Sequence, residues 1–131
     1  MGSEMNSETL KQFEILCLAA KQACDQLGSA TEFEPFLVRV LTYVKAHPSL
    51  NGNFRTAFIQ MLDNPQKGPW ELIPFCMHEL RWPEVEAAAR VRLMSASDWR
   101  EKTIMAAVID AFSDKWGDAD LYSYYSGHSH E

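Results

Sequence analysis

Residues 69–125 carry the clearest helix punctuation in the chain, and they constrain the fold more than any other stretch. Pro69 and Pro83 sit where a first helical turn tolerates a missing N–H, Ser97 or Asp98 can cap a helix, and Gly117 can end one. Between these signals the apolar residues recur at helical steps. This stretch also holds all four tryptophans and three of the four tyrosines. It reads as three consecutive helices followed by a short final turn or helix over 118–125. Pro74 inside the first of them removes a backbone hydrogen bond, so a kink or a late start is expected there.

The N-terminal half follows the same period. Leu10, Phe13, Cys17, Ala20, Cys24 and Leu27 are spaced 3, 4, 3, 4 and 3 apart, which places them on one stripe of a helix over 7–27. Ile15, Leu16 and Leu18 widen that surface, so the helix is expected to contact more than one neighbour. Thr31-Glu-Phe-Glu34 has the form of a capping box, with Pro35 in the first turn, and the helix it opens runs to about Ala46. Phe33, Phe36, Leu37, Val40, Leu41 and Val44 are its predicted buried face, and His47-Pro48 ends it. A turn over 49–53 containing Asn-Gly precedes a third helix with Phe54, Ala57, Phe58, Met61 and Leu62. The polar run Asn64–Gly68 marks a seam between two three-helix halves.

In the second half the predicted inward residues are Trp70, Ile73, Met77 and Leu80, then Val85, Ala88, Ala89 and Leu93. The sixth helix follows with Ile104, Met105, Val108, Ile109, Phe112 and Trp116, and is expected to run to Gly117. No segment alternates strictly, and no hairpin turn separates two β-rich runs. The expected fold class is all-α, a bundle of about six antiparallel helices. Residues 1–6 are expected to be a disordered N-terminus, 7–125 a single helical domain, and 126–131 a disordered tail.

Composition bounds the function. A chain of 131 residues can bury a core without metal or disulfide support. Its formal net charge of −6 opposes nucleic-acid phosphates and favours a basic partner. Three cysteines without a CxxC pair fit a reducing compartment. No basic leader and no run of 18 apolar residues is present, so a cytoplasmic location is expected.

Arg81-Trp82-Pro83-Glu84-Val85 ahead of an alanine-rich helix, and Asp98-Trp99-Arg100 ahead of the next, resemble the helix pairs of HEAT-type repeats over about 69–116. The first half lacks this signature. Such a family implies protein–protein recognition by stacked helix pairs. In size, charge and class the chain is also similar to small acidic bacterial immunity proteins, which neutralise a toxin by binding it.

The leading candidate site is an acidic-aromatic edge. Asp110 and Asp114, four apart on the sixth helix, are expected to share a face, with Asp118 and Asp120 following. Trp116, Tyr122, Tyr124 and Tyr125 stand among them. Tyrosine and tryptophan supply amphipathic contact area, and carboxylates give complementarity to a basic partner. The competing reading is a solvated acidic face with the aromatics folded back on the bundle.

Other constellations are weaker. His78-Glu79 lacks a second histidine four residues on, since position 82 is Trp82, so the zinc-protease motif is absent. His128, His130 and Glu131 lie in a Ser/Gly-rich tail. Arg81, Arg90, Arg92 and Arg100 do not form one stripe, though Trp82 and Trp99 could stack on bases. Both tryptophans are otherwise expected at helix junctions. Cys76 has no base within reach, and a buried structural role is expected. The expected function is therefore a non-enzymatic protein-binding module without cofactor or metal, which does not bind nucleic acid or membrane. The alternative is a small-molecule binder or enzyme with a cavity between the two halves.

Overall fold

The computed structural model describes residues 2–126, and side chains from residue 7 onward. Seven α-helices follow one another without a strand among the described residues: α1 Gly2–Gln26, α2 Ala30–Ala46, α3 Asn51–Asp63, α4 Leu72–Leu80, α5 Pro83–Ser95, α6 Trp99–Asp110 and α7 Ser123–Ser126. Two 3-10 helices, Pro48–Leu50 and Gly117–Leu121, join them. The fold is all-α, with six longer helices and a four-residue seventh.

The N-terminal stripe does what its period requires. Phe13, Cys17 and Ala20 are buried, with Ala23 beside them, while Leu10, Cys24 and Leu27 are half-buried. Ile15 and Leu18 stay exposed, because α1 packs chiefly along α2 and leaves its opposite side to solvent. The Tyr43 hydroxyl donates to the Thr9 carbonyl at 3.0 Å, pinning α1 to α2. The α1 helix begins at Gly2, ahead of the expected Ser7.

The α2 start differs from expectation. The N-cap is Ser29, not Thr31, so Glu32 occupies the third helical position, and the Ser29 hydroxyl donates to it at 3.0 Å. That shift puts Pro35 beyond the first turn and frees Glu34 for another role. The Asn-Gly pair forms no reversal either. The 3-10 turn Pro48–Leu50 feeds directly into α3, whose first residues are Asn51 and Gly52.

An aromatic spine links the halves. Phe13 of α1 lies 4.8 Å from Phe54 and 5.7 Å from Phe58 of α3, and Phe58 lies 6.0 Å from Trp82 at the α5 N-terminus. The buried residues of both halves form one contiguous core. The 64–68 connection packs closely on it: a Cβ at Gly68 would stand 2.7 Å from Met61 Sδ. At the far end of α3 and α5, Arg92 donates to both carboxylate oxygens of Asp63 at 2.6 Å. That fork, hydrogen-bonded to Asp63, holds its carboxyl below the usual range.

The α4 helix starts late, at Leu72, which leaves Pro74 in its first turn, where the absent donor costs nothing. It is apolar nearly all round, and Leu72 to Met77 are all buried. Cys76 is among them, and burial pushes its thiol well up. Cys17 and Cys24 are likewise pushed up to about 12, mainly by burial. The thiols are inert packing groups.

Two expectations fail in the second half. The α6 helix ends at Asp110 with Ala111 as its C-cap, not at Gly117. Trp82 is buried, at 9 % exposure, but Trp99 is 78 % exposed and is not packed at a junction. Trp82 fills the space between α3 and α5, whereas Trp99 opens α6 on the solvent side. Trp82→Ala is therefore expected to cost about 3–5 kcal/mol and Trp99→Ala less than about 0.5 kcal/mol, by urea unfolding of dilute protein. Equal losses for the two would contradict this packing.

Candidate functional site

The acidic-aromatic edge is built by the chain after α6 and by the end of α4. Arg81 terminates α4 in the left-handed conformation, φ 53°, with its N–H bonded to the Met77 carbonyl at 2.8 Å. For a residue with a Cβ this backbone is uncommon, and the side chain is tied at several points. Its Nε donates to the His78 carbonyl at 2.9 Å, and one terminal nitrogen donates to the Phe112 carbonyl at 3.1 Å and to Asp114 Oδ1 at 2.9 Å.

His78 stands one turn earlier. Its Nδ1 lies 2.8 Å from the Ala111 carbonyl. A carbonyl only accepts, so Nδ1 carries the proton. Its ring packs at 4.9 Å from Trp116 and 4.8 Å from Tyr125. These two donors from α4 take the carbonyls of Ala111 and Phe112, just past the last turn of α6. Capping of this kind satisfies orphan acceptors at a helix end, and it explains why α6 stops where its apolar period would allow it to continue.

That early stop rearranges the predicted site. Asp110 is the last residue of α6 and Asp114 lies beyond it in a turn, so the two do not share a helical face. Asp114 is exposed and paired with Arg81. Asp118 and Asp120 are exposed on the 3-10 helix Gly117–Leu121, whose Leu121 also faces solvent.

The aromatics fold inward. Trp116 and Tyr122 are buried, and Tyr124 and Tyr125 are half-buried. Tyr122 lies 4.9 Å from Phe75, 6.0 Å from Trp116 and 6.5 Å from Phe33. The Tyr125 hydroxyl donates to the Phe75 carbonyl. The Tyr124 hydroxyl donates to Glu79 Oε1 at 2.7 Å, and Glu79 also pairs with Lys45. Burial raises the Tyr122 and Tyr125 phenols, and burial with the Glu79 contact raises Tyr124. As presented contact groups Trp116 and Tyr122 are thus corrected: their rings serve the core, because α4 is apolar on this side and needs covering.

What holds the segment down is a residue the sequence pattern assigned elsewhere. Glu34 of α2 is buried, and its carboxylate accepts from the Ser123 N–H at 3.0 Å and from the Tyr124 N–H at 2.7 Å. It does not reach back to cap its own helix. A carboxylate at the N-terminus of α7 meets amides that have no helical partner and the positive end of the helix dipole. No local pattern could have revealed this, since the partners are about 90 positions apart.

Between these elements lies an open groove with a cavity volume of ≈ 560 Å³, lined by His78, Asp114, Trp116, Asp120 and Tyr125 among others. A second depression, ≈ 280 Å³, lies at the seam and is lined by Met61, Trp70, Ile73, Asp98, Arg100 and Glu101 among others. Among the described residues no group of three His, Cys, Asp or Glu side chains is placed to hold a metal. No helix among them is long and apolar enough to cross a membrane. His128, His130 and Glu131 lie outside the described residues. Comparison with protein-family models, curated protein sequences and solved structures found no match to this chain.

Glu34→Ala should leave the Ser123 and Tyr124 amides, exposed and half-buried respectively, without their charged acceptor and lower stability by about 1–3 kcal/mol. Tyrosine near-UV dichroism should be lost before the helical far-UV signal on heating. Unchanged stability in the variant would show that the Glu34 contact does not hold the segment.

Proposed function

We propose that the chain is a non-enzymatic protein-binding module that uses its acidic edge to engage a basic partner, as an immunity-type protein would. The observation that supports this reading is the division of labour after α6. The aromatic rings pack inward while Asp110, Asp114, Asp118 and Asp120 all remain exposed around them. Aspartates at the C-terminal end of a helix oppose its dipole, so Asp110 is not placed there to stabilise α6. Buried Trp116 and Tyr122 anchor both ends of the 3-10 helix that carries Asp118 and Asp120, which lowers the ordering cost of binding. Such a surface raises the encounter rate with a basic protein and makes it salt-sensitive. Half-buried Tyr124 and Tyr125, and exposed Leu121, supply the contact area beside the charge. The HEAT-like signature of α5 and α6 fits the same reading, since stacked helix pairs serve recognition more often than chemistry.

A second reading has one specific support: the groove beside His78 brings a histidine, two aspartates and a tyrosine to one opening. A small cationic ligand would suit it. The Nδ1 contact with Ala111 and the packing of the ring between Trp116 and Tyr125 fix the imidazole as a structural element, which favours the protein-binding reading.

Affinity capture from the source lysate with wild-type protein, and with Asp110→Asn/Asp118→Asn/Asp120→Asn, tests the proposal; Asp114 is spared because it pairs with Arg81. The expected result is a basic protein recovered by wild type, released as salt rises, and at least ~10-fold depleted with the triple variant. Recovery of the same partners by the triple variant would contradict it.

A further inference from the structure

The hairpin of α5 and α6 has two faces, and the core uses one. Val85 and Ala89 of α5 and Met105 and Val108 of α6 are buried. On the opposite side of α5, Ala87, Arg90, Val91 and Met94 recur at helical steps, and all are exposed. On α6, Trp99, Thr103 and Ala106 do the same, with Lys102 beside them. Val91 at 64 %, Met94 at 88 % and Trp99 at 78 % are the three most exposed large apolar side chains among the described residues. They gather at the end of the hairpin where residues 96–98 join the helices. The chain after α6 turns back to cover α2 and α4, and leaves this face bare.

Charge selects what can cover it. The whole chain carries −6, so two copies repel across most of their surfaces. Among the exposed residues of α5, α6 and the turn between them the signs nearly cancel: Asp98 and Glu101 are interleaved with Arg90, Arg100 and Lys102, while Glu84 and Arg92 pair with Arg55 and Asp63 of α3. A strongly basic partner is drawn to the Asp118–Asp120 end instead. A polyanion or anionic surface would meet Asp98 and Glu101 next to every exposed base of α6. A surface of mixed sign with an apolar centre is complementary to itself.

We propose that this face is a self-association surface, and that two copies pack hairpin on hairpin about a two-fold axis. In that arrangement α5 of one copy lies against α6 of the other, and Val91, Met94 and Trp99 of both copies surround the axis. Ala87, Thr103 and Ala106 let the helices approach closely, and the interleaved charges pair across the rim. A helix pair with an apolar outer side gains from a second pair stacked on it, and here the second pair comes from another copy. At 1.5 Å per residue, helices of 13 and 12 residues give a face about 20 Å long and about 20 Å wide. The buried area is then on the order of 800 Å², below the range of stable specific interfaces, so the dimer is a weak and transient one.

Sedimentation velocity from about 1 µM to about 1 mM protein tests this, with tryptophan emission followed in parallel. The expected result is a shift from monomer to dimer that stops at two copies, with a blue shift in emission, because Trp99 is the tryptophan most exposed in the monomer. Met94→Ser/Trp99→Ser should weaken association at least ~10-fold while the helical dichroism is unchanged. Leu18→Ser, on the exposed side of α1, should leave association as in wild type. If the double variant fails to fold, Met94→Lys replaces it. A chain monomeric throughout, or a folded variant that associates like wild type, would overturn the proposal. Growth beyond the dimer would overturn the two-fold packing.

Discussion

One buried carboxylate fixes the shape of the C-terminal third. Glu34 sits on α2, away from solvent, and accepts two backbone hydrogen bonds from the start of α7. A buried carboxylate without donors would be costly, and two amides at a helix start without acceptors would be costly too. Each removes the other's penalty. Once Ser123 and Tyr124 are fixed, the rings on either side have only one place to go. Tyr122 enters the space between Phe33, Phe75 and Trp116, and Tyr125 reaches the Phe75 carbonyl. The short and almost wholly apolar α4 is thereby covered on a side the long helices do not reach.

The end of α4 works on the same segment from the other direction. Arg81 adopts a backbone conformation that side chains disfavour, and its guanidinium and the His78 ring bind carbonyls that a longer α6 would have kept. The result is a stop at Asp110 and a turn that carries Asp114 toward Arg81. The acidic edge is therefore a product of tertiary capping. Its aspartates come from a helix end, a turn and a 3-10 helix rather than from one helical face.

These two devices mark the limit of what the residues reveal by pattern. The α1 stripe through Phe13, Cys17 and Ala20, the stop at His47-Pro48, the late start around Pro74, the Pro83 opening and the Asp98 cap depend on contacts within a few residues, and all are legible. The spacing of Glu34 from Thr31 satisfies a local capping rule, but the cap is Ser29, two positions earlier, and Glu34 bonds elsewhere. Ile109, Phe112 and Trp116 continue the apolar period of α6 past its end, and only His78 and Arg81 interrupt it. Trp99 looked like Trp82, each near the start of a helix, yet one faces α3 and the other faces water. In each case a distant contact decided the outcome. The aspartates of the site were legible as an acidic group, but the inward turn of the tryptophan and tyrosines was not.

The two surfaces that remain differ in kind. The edge after α6 is acidic over a rigid aromatic layer, and the outer side of α5 and α6 is apolar with balanced charge. Both depend on the C-terminal segment docking where it does, since that docking presents the first and uncovers the second. Amide hydrogen exchange measured by NMR on the wild-type chain tests that docking most directly. The Ser123 and Tyr124 amides should exchange at least ~100-fold more slowly than in an unstructured peptide. Exchange at unstructured rates there, with α2 and α4 still protected, would contradict the account.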